Sequence, residues 1–224
     1  MREIKTEWRI KKTDLLAMGL FLLVFFLAVL GLDKCLGFSQ RISAEKFPWI
    51  AAGFVAVSWI VADLYMSFDW AVGFGRTRRQ YLLGTVWVYV AGTFLLLLES
   101  RFLNEIFPII AGKYDRIELG IVSGSMVLLK IAAWAVFFTG IGGICALVLH
   151  RFGIKGATAL MMLVFLCLGI WNSDLWQTLK IENLTGRLQN ASELLQSMLT
   201  LLVGVMCCGI WIWRFRKEIG RAHV

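Results

Sequence analysis

The sequence predicts an all-α integral membrane protein with six transmembrane helices, both termini in the cytosol and a possible N-terminal interfacial helix. The first observation is composition: 59% of the 224 residues are hydrophobic and 17% are charged, more apolar surface than a soluble domain of this length could bury. The second is that the apolar runs are about 20 residues long, which matches helices crossing a hydrocarbon core of about 30 Å. The third is that basic residues collect in alternate loops.

A single transmembrane domain, residues 1–224, holds the six predicted spans. Pro48 stands at the start of the second span, in the first turn, where a helix tolerates proline. The fourth apolar run exceeds one membrane thickness, and a span starting near Ile131 lets Lys130 reach the outer headgroups. An outer loop is predicted over 99–118. The predicted spans cover about 15–32, 49–66, 81–98, 121–149, 154–171 and 194–213.

The charges divide unequally between the two sides of this topology. The N-terminal segment, the turns at 67–80 and 150–155 and the C-terminal tail together hold 14 Lys/Arg and 5 Asp/Glu. The loops on the opposite side hold 8 Lys/Arg and 9 Asp/Glu. By the positive-inside rule this places both termini in the cytosol. Topology therefore accounts for much of the net charge of +8, and we predict no nucleic-acid partner.

The basic N-terminal segment, residues 1–12, has two readings. In a helix, Ile4 and Trp8 would share one face and the charged residues would occupy the others, which is typical of a helix lying on the inner leaflet. A loosely ordered basic tail fits the same residues. The sequence leaves the two alternatives open.

One acidic residue, Asp63, lies inside the predicted second span. An acid in a span is a functional candidate, because a charge in the bilayer is costly. Asp63 is, however, about one turn from the cytosolic end. We therefore expect it to be hydrated there, without a functional role.

The polar interruption between the second and third spans is the most informative stretch, and we call residues 68–80 the elbow. It is predicted to be a cytosolic turn, and it holds Arg76, Arg78 and Arg79. Arginines at the start of a helix oppose its dipole, so local helix stability does not explain them. Either membrane topology or a binding partner is the expected reason.

The elbow also carries signals that end one helix and begin another. We expect Gly73 and Gly75 to end a short helix that Asp69 begins. Thr77 and Gln80 have the spacing of a capping box, which predicts a new helix just before the third span.

A stripe of small residues marks the fourth span, where Ala135, Thr139 and Gly143 recur at spacing four. Such stripes let helix backbones approach closely in membranes. We therefore predict that this span packs against another helix at the centre of the protein.

The sequence lacks the groups that catalysis would need. Its two histidines, His150 and His223, have no plausible partners for a metal site or for serine–histidine chemistry. No glycine-rich phosphate loop is followed by Lys-Ser or Lys-Thr. We therefore predict that the chain is not an enzyme and that it binds no metal and no cofactor itself.

Six spans, cytosolic ends and the elbow phrase Gly-Phe-Gly-Arg-Thr-Arg-Arg, residues 73–79, together resemble the ABC-2 type permease subunits of bacterial ABC transporters. In that family the second span leads into a phrase of the form Gly-hydrophobic-(Ser/Thr/Gly)-Arg-(Arg/Lys), which residues 73–79 match with one variable position. The short outer loops and the lack of a fused ATPase look most like the small permeases of bacteriocin-immunity, lantibiotic-export and toxic-peptide-export systems.

The resemblance implies a permease subunit in a bacterial plasma membrane that exports an amphipathic peptide or a hydrophobic compound. Its implied partners are a second permease chain, identical or paralogous, and two copies of a cytosolic ATPase that binds ATP and Mg. The elbow would be a coupling helix, and the N-terminal stretch an interfacial connecting helix. A non-transporting membrane protein, such as a sensor partner or assembly factor, is the alternative. The coupling residues implied are Phe74, Gly75, Arg76, Arg78, Arg79, Arg151 and Lys155.

Overall fold

A computed structural model describes residues 2–36, 47–73, 78–110, 125–160, 162 and 193–218. This part of the chain contains six helices and no strand. The helices are α1 (Arg2–Leu36), α2 (Phe47–Gly73), α3 (Arg78–Ile110), α4 (Ser125–Phe152), α5 (residues 154–160) and α6 (Glu193–Glu218).

Four of these helices are long and apolar enough to cross a membrane, which agrees with a helical membrane protein. Their apolar segments lie in α2, α3, α4 and α6 and coincide with the predicted second, third, fourth and sixth spans. The predicted first span, 15–32, lies on α1. Only the start of the predicted fifth span lies within the described residues, in α5. The four segments are Ala51–Phe68, Tyr81–Leu103, Met126–Phe152 and Leu194–Phe215.

Several predicted boundaries are wrong because the helices run on past the ends of their apolar segments. The outer loop predicted over 99–118 is helical as far as Ile110. Its first residues, from Glu99 to Glu105, contain neither glycine nor proline, so nothing in them interrupts the backbone hydrogen bonds of α3. Asp69 begins no helix of its own, because α2 continues through it and ends at Gly73.

The N-terminal segment is helical and is therefore not a loosely ordered tail, but it is not a separate helix. It is the first third of α1, a single helix of 35 residues that continues into the predicted first span. The reason lies in its contacts: Glu7 and Lys11 are buried against the rest of the protein, with 2% and 3% of their surface exposed. A helix lying alone on a membrane surface would keep such charged groups in water.

Helix α1 runs parallel to α3 and beside it. The Nζ atom of Lys11 lies 3.2 Å from the hydroxyl of Tyr89, and further along the two helices Gly19 lies against the Glu99 carboxylate. Within each pair the two residues are nearly the same number of positions apart in the chain, 78 for Lys11 and Tyr89 and 80 for Gly19 and Glu99. A nearly constant separation is expected when two helices run in the same direction side by side. The Lys11 ammonium therefore lies beside the first half of the α3 apolar segment, between the rings of Tyr81 and Tyr89.

Helices α4 and α6 approach each other most closely, through glycines on both. A Cβ atom at Gly204 of α6 would lie 2.7 Å from the backbone nitrogen of Phe137, and one at Gly140 of α4 would lie 2.8 Å from the Gly204 carbonyl oxygen. Atoms do not pack at such distances, so a larger side chain would push the helices apart. Helix α4 also contacts α2 and α3, which places it inside the bundle.

One hydrophobic cluster joins α2, α3, α4 and α6 near the elbow. It contains large rings as well as aliphatic side chains, and Trp59 meets the Tyr89 ring edge-on with centroids 5.3 Å apart. A second cluster, towards the other end of the bundle, adds Leu22 of α1 to side chains of α2, α3 and α4. The buried members of the first cluster are Trp59, Ile60, Leu64, Phe68, Tyr81, Leu82, Tyr89, Ala146, Trp211 and Phe215.

Candidate functional site

A buried group of polar side chains joins the first three helices, and we call it the polar cluster. At its centre Lys11 of α1 forms an ion pair with the Asp63 carboxylate of α2, and the hydroxyl of Tyr89 on α3 donates to the same carboxylate oxygen. The side chains of Lys11 and Asp63 are 3% and 14% exposed. Three helices therefore meet at one carboxylate inside the protein.

The polar cluster extends from Asp63 towards the elbow. The Ser67 hydroxyl donates to the second carboxylate oxygen of Asp63 over 3.1 Å, and it lies 2.6 Å from the hydroxyl of Tyr81. On the α1 side, the Glu7 carboxylate lies 3.9 Å from the Lys11 ammonium. The groups form a continuous series from the interior to the first turn of the α3 apolar segment.

The electrostatics of the polar cluster explain why α1 packs where it does. A charge removed from water is tolerated only when it is paired and hydrogen-bonded. Lys11 has the Asp63 carboxylate, the Tyr89 hydroxyl and also the Tyr89 ring, whose centroid is 4.5 Å from its ammonium. The ring faces contribute a further attraction to the cation. This compensation fixes α1 against α2 and α3.

The expectation that Asp63 is hydrated at the cytosolic end is wrong, because its side chain is only 14% exposed and its carboxylate is bound by groups from all three helices. Sequence reasoning missed Lys11, because it was assigned to an interfacial segment. A usable signal existed: an acid inside a span needs a cation, and Lys11 stands shortly before the apolar part of α1.

A second group, of aromatic rings, joins the bases of the two predicted cytosolic turns. Phe68, at the end of the α2 apolar segment, contacts Tyr81 of α3, His150 of α4 and Phe215 of α6, with ring centroids 5.8, 5.9 and 5.1 Å apart. The His150 and Phe215 rings also meet, at 5.9 Å. We call these four residues the aromatic cluster and their side of the bundle the elbow end.

The structure brings some of the predicted coupling residues to the elbow end. Arg78 and Arg79 lie in the first turn of α3. Arg151 and Lys155 are exposed on either side of the turn at Gly153, whose φ of 55° is the left-handed conformation that favours glycine. Both turns therefore belong to one end of the protein. The other predicted coupling residues, Phe74, Gly75 and Arg76, lie outside the described residues, as does Thr77.

The predicted packing stripe faces into the bundle. Ala135 and Thr139 are fully buried, and the Thr139 hydroxyl donates to the Ala135 carbonyl over 2.8 Å. Gly143 lies directly against the indole ring of Trp211 on α6. The ring occupies the space that a side chain at 143 would fill.

No protein-family model, no curated protein and no solved structure matches the chain. The resemblance to ABC-2 permeases therefore rests on the sequence features given above, and it remains a prediction.

Proposed function

We propose that this chain is the membrane subunit of an ATP-driven exporter, and that its elbow end binds a separate cytosolic ATPase. The observation that carries the proposal is the aromatic cluster. It joins the elbow and the turn at Gly153 through direct contacts of Phe68 with Tyr81 and His150. A partner that binds across both turns would therefore meet helix ends that pack directly on each other, with the exposed basic residues Arg151 and Lys155 beside the turn at Gly153.

The polar cluster supports the same proposal, because it connects the elbow to the interior. The helices on either side of the elbow, α2 and α3, are joined to each other and to α1 at Asp63. A displacement of the elbow would therefore move three helices together and not bend one of them. Such rigid-body motion of helix groups is how a partner's ATP cycle would open and close a path across the membrane.

The remaining parts of the proposal follow the family resemblance. ATP and Mg would be held by the partner ATPase, present in two copies, and a second permease chain would complete the path in a bacterial plasma membrane. The cargo class proposed is an amphipathic peptide or a hydrophobic compound. This chain would contribute no catalytic residue.

The test is charge reversal at the start of α3. We expect Arg78→Glu or Arg79→Glu to abolish recovery of the ATPase when the chain is affinity-purified from its native membranes. The introduced glutamate would face the partner carboxylate that pairs with the arginine in the wild type. The loss of this pair would cost about 2 to 5 kcal/mol of binding free energy. Glutamate at the first turn of a helix is favourable to the helix dipole, so helix destabilisation would not explain the loss.

The matched control is Lys130→Glu. Lys130 is exposed near the start of α4, 20 residues and about 30 Å from His150 along the helix, at the other end of the bundle. The Lys130→Glu variant should leave the amount of recovered ATPase unchanged. If the Arg78→Glu and Arg79→Glu variants also recover as much ATPase as the wild type, the elbow has no part in the mechanism. Purification of the wild-type chain without any ATPase would favour the non-transporting alternative.

A further inference from the structure

A groove between α1 and α3 has a composition that points to a ligand. Its volume is 380 Å³, and seven of its eight lining residues are leucine or glycine. The eighth is Glu99, the only charged group in the lining. Ligand sites in proteins have volumes of about 300 to 1,000 Å³, with mostly apolar walls and a few polar groups that orient the ligand.

Glu99 is placed in this groove by the packing of the two helices. A Cβ atom at Gly19 of α1 would lie 2.9 Å from the Oε2 atom of Glu99, so the absence of a side chain there makes room for the carboxylate. Glu99 is half-buried, and it forms no hydrogen bond or ion pair with any other described residue. Arg101 is two positions further along α3, a spacing at which helical side chains do not face each other.

The groove is open along one side. Leu16 and Leu20 on its α1 wall are 71% and 67% exposed, and Leu95 on its α3 wall is 43% exposed. Glu99 lies 18 residues from Tyr81, about 27 Å along α3 and therefore far from the elbow end. An apolar chain can enter from the side, while a charged head remains near the carboxylate at the far end of the α3 apolar segment.

We propose that this groove binds a lipophilic cation: a molecule with one apolar chain and one ammonium or similar head. The leucines contact the chain, and the Glu99 carboxylate is the counter-ion of the head. Charge complementarity selects this class, because a half-buried carboxylate among leucines is stabilised by a cation and repels an anion. The site does not depend on the proposed ATPase or on transport.

The experiment measures binding of radiolabelled dodecyltrimethylammonium to the full chain in phosphatidylcholine nanodiscs, after subtraction of binding to empty nanodiscs. Dodecyl sulfate, with the same chain and the opposite charge, is the matched ligand. We expect saturable binding of the cation and none of the anion. Glu99→Gln, which keeps the shape and removes the charge, should weaken binding by about tenfold or more.

Two tryptophan variants separate the groove from the helix surface in general. Leu95→Trp fills the groove and should abolish binding. Leu83→Trp adds the same bulk at another exposed leucine of α3, outside the groove, and should bind like wild type. Equal binding by Glu99→Gln and wild type, or equal binding of dodecyl sulfate, would overturn the proposal. A third outcome would also overturn it: the chain binds no cation, and Glu99→Gln changes its oligomeric state. A second copy of the chain, and not a small molecule, would then fill the groove.

Discussion

Two carboxylates, Asp63 and Glu99, lie within the described apolar segments of α2 and α3, and their surroundings are opposite. Asp63 is held by a lysine of α1, a tyrosine of α3 and a serine one turn further along its own helix. Glu99 lies on the same α3 helix as Tyr89, yet it faces an open leucine-lined groove and contacts the backbone of α1 at Gly19. A compensated carboxylate can fix the positions of helices. An uncompensated one is available to a ligand.

The largest effect should come from breaking the compensated site. Asp63→Ala leaves the Lys11 ammonium buried without its nearest acid, with the Glu7 carboxylate 3.9 Å away and Asp14 on the same helix. Removing one partner of a buried ion pair costs about 3 to 5 kcal/mol, and we expect a loss near the lower value because Glu7 remains. Thermal or denaturant unfolding of the purified chain in a neutral detergent measures it.

The double variant Lys11→Met with Asp63→Leu is the control for Asp63→Ala. It removes both charges and keeps apolar volume, so it should recover most of the lost stability. A double variant as unstable as Asp63→Ala would show that local packing, and not charge compensation, holds α1 in place.

The next effect tests whether helix packing matters as much as the ion pair. Gly204→Leu would force side-chain atoms into the backbone of α4 and should cost about 1 to 3 kcal/mol or more. Gly209→Leu is matched on the same helix, because nothing lies within 4 Å of a Cβ atom there. It should leave the unfolding midpoint nearly unchanged. Equal destabilisation by both would contradict the close approach of α4 and α6.

A smaller effect is expected at Tyr89, which contributes one hydrogen bond to Asp63. Tyr89→Phe keeps the ring over Lys11 and removes the hydroxyl, so the loss should be about 1 to 3 kcal/mol, typical of a hydrogen bond to a charged group. Tyr81→Phe, which removes a hydroxyl that contacts neutral groups such as Ser67 and not the carboxylate, should lose less. Both losses are measured by unfolding experiments. A larger loss for Tyr81→Phe than for Tyr89→Phe would indicate that the polar cluster is centred on Ser67 and not on Asp63.

The smallest effect, and one of opposite sign, is expected at Glu99. Glu99→Gln removes a partly desolvated charge that has no partner among the described residues, so stability should stay constant or rise by about 1 kcal/mol or less. A loss comparable with that of Asp63→Ala would mean that Glu99 is also compensated. The contrast between the two carboxylates would then fail.

Local features of the chain predicted its class and several of its helices well. The apolar runs from Tyr81 and from Leu194 became α3 and α6, because a run of about 20 apolar residues can satisfy its backbone only as a helix in a membrane. The predicted ends of α1 and α3 were wrong. A helix continues for as long as its backbone hydrogen bonds can form, even where its residues are no longer apolar.

The sequence by itself determined that this is a helical membrane-type protein, because hydrophobic content and run length depend on no partner. It also pointed to the small-residue stripe of α4, of which Gly143 lies against Trp211 of α6. Only the tertiary structure decided that Lys11 meets Asp63 and Tyr89 while Glu99 meets none of the described cations. Asp63 and Tyr89 are 52 and 78 positions from Lys11 in the chain, and the register of neighbouring helices brings them together. Periodicity within one helix carries no information on that register.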